Sequence, residues 1–269
     1  MLGAVIGDII GSVFEWNRIK TTDFDLFNDK SCYTDDSVLT FGTARAILDS
    51  KDDFSFPNYA TVYKDFGCRY PDSGYGGGFR RWLFSSTEIL PAYNSFGNGS
   101  AMRVSPVGYA YDDLQIVLER ARDSASVTHN HREGVKGAQA TCASILWARK
   151  GESKESIRNL VQTMFQYDLN RTCDDIRPTY HFDETCQGTV PEAIIAFLDS
   201  TSYEDAVRKA VSLGGDSDTL ACITGGIAQA FYREIPKEIC SMALSVLPEE
   251  FITIIREFNK AYNIDYLAI

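Results

Sequence analysis

Histidine is scarce in this chain, at three residues, and the seven cysteines include no C-x-x-C pair. His129, His131 and His181 share no ligand spacing with those cysteines, which argues against zinc. Cys32, Cys68, Cys142, Cys173, Cys186, Cys222 and Cys240 are odd in number and widely separated. That pattern fits reduced, mostly buried thiols rather than a disulfide frame, and it implies a cytoplasmic protein. The apolar N-terminus is interrupted by Asp8, has no basic segment before it and runs only about a dozen residues, so neither a signal peptide nor a membrane span is expected. Basic residues are in deficit, 26 against 37 acidic ones, for a net charge of −11. A general phosphate-backbone binder needs the opposite balance.

Common catalytic motifs are missing too. No phosphate-binding P-loop, no G-x-G-x-x-G after a strand-like run and no H-E-x-x-H or G-x-S-x-G occurs. A calcium loop starting at Asp216 would need an acid or amide at position 220 and Glu at 227, where Leu220 and Ile227 stand.

Helical periodicity dominates what is present. Leu114, Val117, Leu118, Ala121 and Ala125 form one stripe, Ile157, Leu160, Val161, Met164 and Phe165 a second, and Tyr203, Ala206, Val207, Ala210 and Val211 a third. Ser202 and Asp205 suit a capping box for the third. Further helices are expected after Val135, Pro191, Leu220, Ile239 and Ile252, with Pro191 in a first turn. Strand-like alternation is scarce, and no repeat or linker divides the chain. One all-α domain over residues 1–269 is therefore expected, with stretches near 68–105 and 168–190 resisting a helical reading.

Two short acidic motifs each precede a helical stripe. Thr34-Asp35-Asp36 stands before Val38, Phe41, Ala44 and Leu48, and Gly214-Gly215-Asp216-Ser217-Asp218-Thr219 before Leu220, Ile223 and Ile227. Either alone suits a helix N-cap. Two carboxylates and a hydroxyl within four residues exceed what one cap requires. If the two helix starts meet, four carboxylates repel one another unless cations lie between them. All-oxygen donors favour a hard ion, Mg²⁺ first, with Mn²⁺ or Ca²⁺ as substitutes.

Other features keep two readings open. Gly3, Gly7 and Gly11 bare one helix face for close packing, and Asp8 and Glu15, seven apart, are expected to share a face two turns from each other. Glu15, amid Val13, Phe14 and Trp16, is either a surface residue at a helix end or aimed into a site. Ser95-Phe96-Gly97-Asn98-Gly99-Ser100-Ala101-Met102 is either a plain turn or a loop offering backbone N–H groups to anionic oxygens. Tyr75 to Trp82 is either a flexible aromatic and cationic loop or packing. His129 lies between two helices, the second beginning near Gly134, and is either structural or ligand-facing. A thiol nucleophile at Cys173 or Cys186 with His181 lacks electropositive surroundings.

In order along the chain stand G7-D-I-I-G-S-V-F-E15, T34-D-D-S37, G97-N-G-S-A-M-R103, T128-H129 with Gly134 and Gly137-Ala138, and G214-G-D-S-D-T219. This series resembles the ADP-ribosylglycohydrolase family, whose members include dinitrogenase reductase-activating glycohydrolase and the ADP-ribosyl-serine hydrolase. The resemblance implies a single-domain orthogonal helical bundle with a binuclear Mg²⁺ centre at the base of an ADP-ribose cleft. It implies Thr34, Asp35, Asp36, Asp216, Asp218 and Thr219 as metal ligands, and Ser95, Phe96, Gly97, Asn98, Gly99 and His129 as substrate contacts. Glu15 and Asp35 become candidates for acid–base catalysis, with Glu15 preferred as the counterpart of a mobile glutamate in the serine-linkage branch. The implied substrates are ADP-ribosylated proteins or small molecules, with nucleic acid entering only as a modified acceptor. Two rival functions stay open: cleavage of another nucleoside-diphosphate or N/O-glycoside in the same cleft, and a non-catalytic ADP-ribose-binding or crystallin-like role.

Overall fold

In the computed structural model, residues 1–53, 56–85 and 91–264 are described, and no strand occurs among them. The helices are α1 (Leu2–Gly11), α2 (Asp35–Asp53), α3 (Tyr59–Arg69), α4 (Gly77–Leu83), α5 (Gly99–Met102), α6 (Ser105–Ala110), α7 (Leu114–Ser126) and α8 (Arg132–Arg149). They continue as α9 (Lys154–Phe165), α10 (Cys173–Ile176), α11 (Cys186–Asp199), α12 (Tyr203–Ser212), α13 (Ser217–Tyr232), α14 (Lys237–Ser245) and α15 (Glu249–Ala261). None is long and apolar enough to cross a membrane.

The centre of the fold is the crossing of α1 and α13. Every residue of α1 is buried, so this helix has no solvent face and is apolar all round except for Asp8. A Cβ on Gly3, Gly7 or Gly11 would lie 2.5, 2.0 and 2.4 Å from the carbonyl oxygens of Gly225, Ala221 and Ser217. The two backbones touch, and only glycine on that face permits it. The approach carries the end of α1 to the start of α13, where the second acidic motif lies.

The stripes behave as amphipathic helices should. Val117, Ala121 and Ala125 are buried, as are all five apolar residues of the α12 stripe. In α9, Ile157, Val161 and Phe165 are buried, but Met164 is 43% exposed and lies outside the buried face. Ser202 caps α12 by accepting from the Asp205 N–H. The reciprocal bond shifts by one residue, since Asp205 accepts from the backbone of Thr201 instead.

Three local expectations need correcting. Pro191 is not in a first turn: α11 starts at Cys186, capped by Thr185, so the helix runs through Pro191 without the N–H that would bond Gln187. The stretch 68–105 contains α4 and α5, and 168–190 contains α10 and the first turn of α11; positions 86–90 lie outside the described residues. The glycines of α4 disfavour a helix, yet burial of Phe79, Trp82 and Leu83 holds it in place. Finally, α1 stops at Gly11, so Glu15 sits in the following turn and helical phase does not align it with Asp8.

Candidate metal centre and ligand cavity

Asp8 is fully buried and organises the first acidic motif. Its carboxylate accepts from the Thr34 N–H at 3.0 Å, the Thr34 hydroxyl at 2.7 Å, the Ser37 N–H at 3.1 Å and the Ser37 hydroxyl. These bonds lash the start of α2 to α1. Thr34 Oγ1 in turn accepts from the Asp36 N–H at 3.2 Å, so its hydroxyl serves both as a helix cap and as a link to Asp8. Asp35 is held by its own N–H, which donates to the Ser73 carbonyl at 2.6 Å. Asp36 accepts from the Thr219 hydroxyl at 3.3 Å through Oδ2, while its buried Oδ1 has no hydrogen-bond partner.

The second motif approaches from the other side. Gly214 adopts φ +67°, which turns the chain into α13 at a conformation glycine takes without strain. Asp216 occupies the N-cap position of α13 but makes no capping bond with its side chain. Its Oδ2 instead accepts from Asn98 Nδ2 at 2.7 Å. Glu15, Asp216 and Asp218 each offer a carboxylate oxygen, and these oxygens lie within 4.8 Å of one another. None of the acids Asp8, Glu15, Asp35, Asp36, Asp216 or Asp218 enters an ion pair among the described residues.

Crowding and burial show in the acidities. Burial first, and the Asp218 charge second, push the Asp8 and Glu15 carboxyls up to about 7. The same causes raise Asp35, Asp36 and Asp216 well above the carboxylate range. Such a group of acids takes up either protons or cations.

Above these acids opens a cavity of about 500 Å³. Thr34, Asp35, Asp36, Asp216, Asp218, Thr219 and Glu15 all line it, and so do Ser95, Phe96, Gly97, Asn98, Gly99 and His129. The 95–99 segment is pinned to the start of α11 by a bridge between Gly97 and Thr185. Three of its N–H groups are already used, Ser95 on the Thr128 carbonyl, Gly97 on Ser95 Oγ and Asn98 on the Glu184 carbonyl, so it is less open as an anion cradle than the sequence suggests. Asn98 also reaches across to Asp216, joining the two walls. Phe96 is 46% exposed, its ring 5.4 Å from that of His131. His129 is buried, and its Nδ1 lies 2.7 Å from Thr128 Oγ1. Burial and the Arg103 charge hold the ring well below the usual histidine pKa.

The Tyr75–Trp82 ambiguity resolves residue by residue. Tyr75, Phe79 and Trp82 are buried and pack ring on ring at 5.2 and 5.4 Å. Gly76, Gly77, Gly78 and Arg81 line the cavity. Helix α8 begins at Arg132, two residues before Gly134, with His131 as its N-cap. Cys173 and Cys186 are buried, and burial pushes the Cys186 thiol up to about 12, which leaves no thiolate nucleophile. Sequence reasoning gave no role to Asp8, Ser37 or Tyr93. Asp8 carried a signal, a lone charge in an otherwise apolar helix; Tyr93 carried none.

A family profile described as ADP-ribosylglycohydrolase matches residues 1–260. Among similar proteins, ADP-ribosylhydrolase ARH3 of Xenopus tropicalis is 26% identical, aligned over 87% of this chain and 86% of its own length. ARH3 of Homo sapiens is 26% identical over 86% and 84% respectively. The ADP-ribosylarginine hydrolase Tri1 of Pseudomonas putida (strain GB-1) is 24% identical over 86% of this chain and 69% of its own. A solved structure described as an ADP-ribosylglycohydrolase-related protein complex shares the fold, with 21% identity, a TM-score of 0.70 and 97% of each chain aligned.

Proposed function

The chain belongs to the ADP-ribosylglycohydrolase family, whose members are enzymes that hydrolyse ADP-ribose linkages, and from that premise we propose that it is a Mg²⁺-dependent hydrolase freeing ADP-ribose from a modified protein side chain or small molecule. The observation that carries this reading is the convergence of Glu15, Asp216 and Asp218 on one point of the cavity lined by His129 and the 95–99 segment.

Three features of the chain fit a pair of hard cations. Asp36 keeps a buried oxygen without a donor, Asp216 forgoes its capping bond, and the clustered acids enter no ion pair among the described residues. Thr34, Asp35, Asp36, Asp216, Asp218 and Thr219 would hold the ions, with Mn²⁺ as a substitute; Glu15 lies close enough to Asp216 and Asp218 to join them. Bound Mg²⁺ supplies positive charge that neutralises the acids and polarises a nearby hydroxyl or water.

The remaining work falls to the side chains. Cleavage at the anomeric carbon builds oxocarbenium character, and the leaving atom needs a proton. Glu15 is half-buried on the cavity wall, and burial raises its carboxyl pKa, which suits it to acid–base work. Asp35 is the alternative base. His129 and the Ser95–Gly99 segment orient the diphosphate and ribose, and Phe96 offers an exposed ring to the adenine. Nucleic acid enters only as a modified acceptor, and the reduced thiols suit the cytoplasm.

The test is release of ADP-ribose from ADP-ribosyl-serine and ADP-ribosyl-arginine peptides, with Mg²⁺ and with EDTA. Release that needs Mg²⁺, faster from serine, is expected from the Glu15 motif. ADP-ribose binding without release from either peptide would favour a non-catalytic role, and release unaffected by EDTA would remove the metals from the reading.

A further inference from the structure

Arg103 is a fully buried cation that enters no ion pair among the described residues. Its guanidinium lies 4.4 Å over the Tyr63 ring, and Nη2 donates to the Ser124 carbonyl at 2.8 Å and to Thr128 Oγ1 at 3.1 Å. Arginine carries donors only and keeps its proton in proteins. The bond to Thr128 therefore has one direction, with the hydroxyl oxygen accepting. Among the described residues the Thr128 hydroxyl has no hydrogen-bond partner besides Arg103 and His129. The Thr128 hydroxyl then has one thing left to give, its own proton, and His129 Nδ1 stands 2.7 Å away to take it.

We propose that Arg103 and Thr128 are positioning residues that fix His129 as the Nε2–H tautomer, so that the ring presents a hydrogen-bond donor to the cavity. Nε2 is the nitrogen nearest the ligand-facing loop. It lies 3.1 Å from where a Cβ on Gly99 would sit and 3.6 Å from one on Gly97. An Nδ1–H ring would turn a lone pair towards an anionic ligand; an Nε2–H ring turns a proton. Burial keeps the ring neutral, so the donor comes from tautomer choice rather than from protonation. The relay also joins residues far apart in sequence, Arg103 after α5 and Thr128 after α7, around one imidazole. That the donor meets a sugar diphosphate rests on the function proposed above; the tautomer itself does not.

The experiment is nitrogen-15 NMR of the histidine rings in the full chain, for wild type, Thr128→Ser and Thr128→Val, paired with ADP-ribose titration. Wild type and Thr128→Ser are expected to show His129 protonated at Nε2 with Nδ1 bare. Thr128→Val should give mixed tautomers and bind ADP-ribose roughly fivefold more weakly, the loss of about one hydrogen bond, with Thr128→Ser restoring both. A wild-type ring protonated at Nδ1 overturns the proposal. A tautomer unchanged in Thr128→Val overturns it as well. Failure of wild type to bind ADP-ribose counts against the proposed function and the ligand half of the inference, while the ring signals still decide the relay.

Discussion

Asp8 stands behind the cavity wall rather than on it, yet four hydrogen bonds converge on its carboxylate from Thr34 and Ser37. In Asp8→Asn an amide group would replace one acceptor oxygen and oppose these donors. Because such outer contacts aim the ligands in front of them, the Mg²⁺ concentration for half-maximal activity should rise by roughly 10- to 100-fold. An unchanged Mg²⁺ titration would show that Asp8 serves folding alone. For Glu15 the expected split is different. Glu15→Gln removes the proton carrier but keeps its size, so turnover should fall by about 10² to 10⁴ while ADP-ribose affinity changes little. Turnover near wild type would transfer the role to Asp35.

At the scale of elements, the crossing of α1 and α13 decides whether the acidic motifs meet. Gly7→Ala would place a methyl 2.0 Å from the Ala221 carbonyl oxygen. Backbone cannot yield as a flexible side chain does, so a loss of about 1–3 kcal/mol or more in urea unfolding is expected. Stability equal to wild type would mean that the helices can part without cost. The glycine repeat that makes this contact was legible in the sequence, as were the stripes of α7 and α12. The short helices α4, α5 and α10 were not, because Gly-rich or four-residue segments carry no periodic signal and owe their form to tertiary packing. Pro191 misled for a related reason: its local preference for a first turn lost to the Thr185 cap one turn earlier. Glu15 lay within reach of the sequence only as half of a choice. That its turn aims it at Asp216 and Asp218 depends on where α1 ends and what it crosses.

At the scale of the whole molecule, the acid cluster couples stability to pH. A carboxyl whose folded pKa is raised contributes stability below its unfolded value of about 4 and loses it as pH rises through the folded value. Asp8 and Glu15 cross near 7, and Asp35, Asp36 and Asp216 shift in the same direction. The metal-free chain should therefore melt at progressively lower temperature from pH 5 to pH 8. Added Mg²⁺ should raise Tm more at pH 8 than at pH 5, because at pH 5 protons occupy the acids. A Tm of the EDTA-treated chain that rises over that range would reverse the assigned shifts. No local pattern could reveal this coupling: Thr34 and Thr219 are separated along most of the chain, and only the fold makes their neighbours share one charge cloud. The ordered motifs pointed to that meeting by resemblance to a family, not by spacing.

The central claim is that the acids at the base of the cavity hold divalent cations. Crystals soaked in Mn²⁺ and measured for its anomalous scattering test it most directly. Two peaks are expected, bounded by Thr34, Asp35, Asp36, Asp216, Asp218 and Thr219, and both should vanish in Asp218→Asn. A map with no peak on that wall of the cavity would contradict the claim.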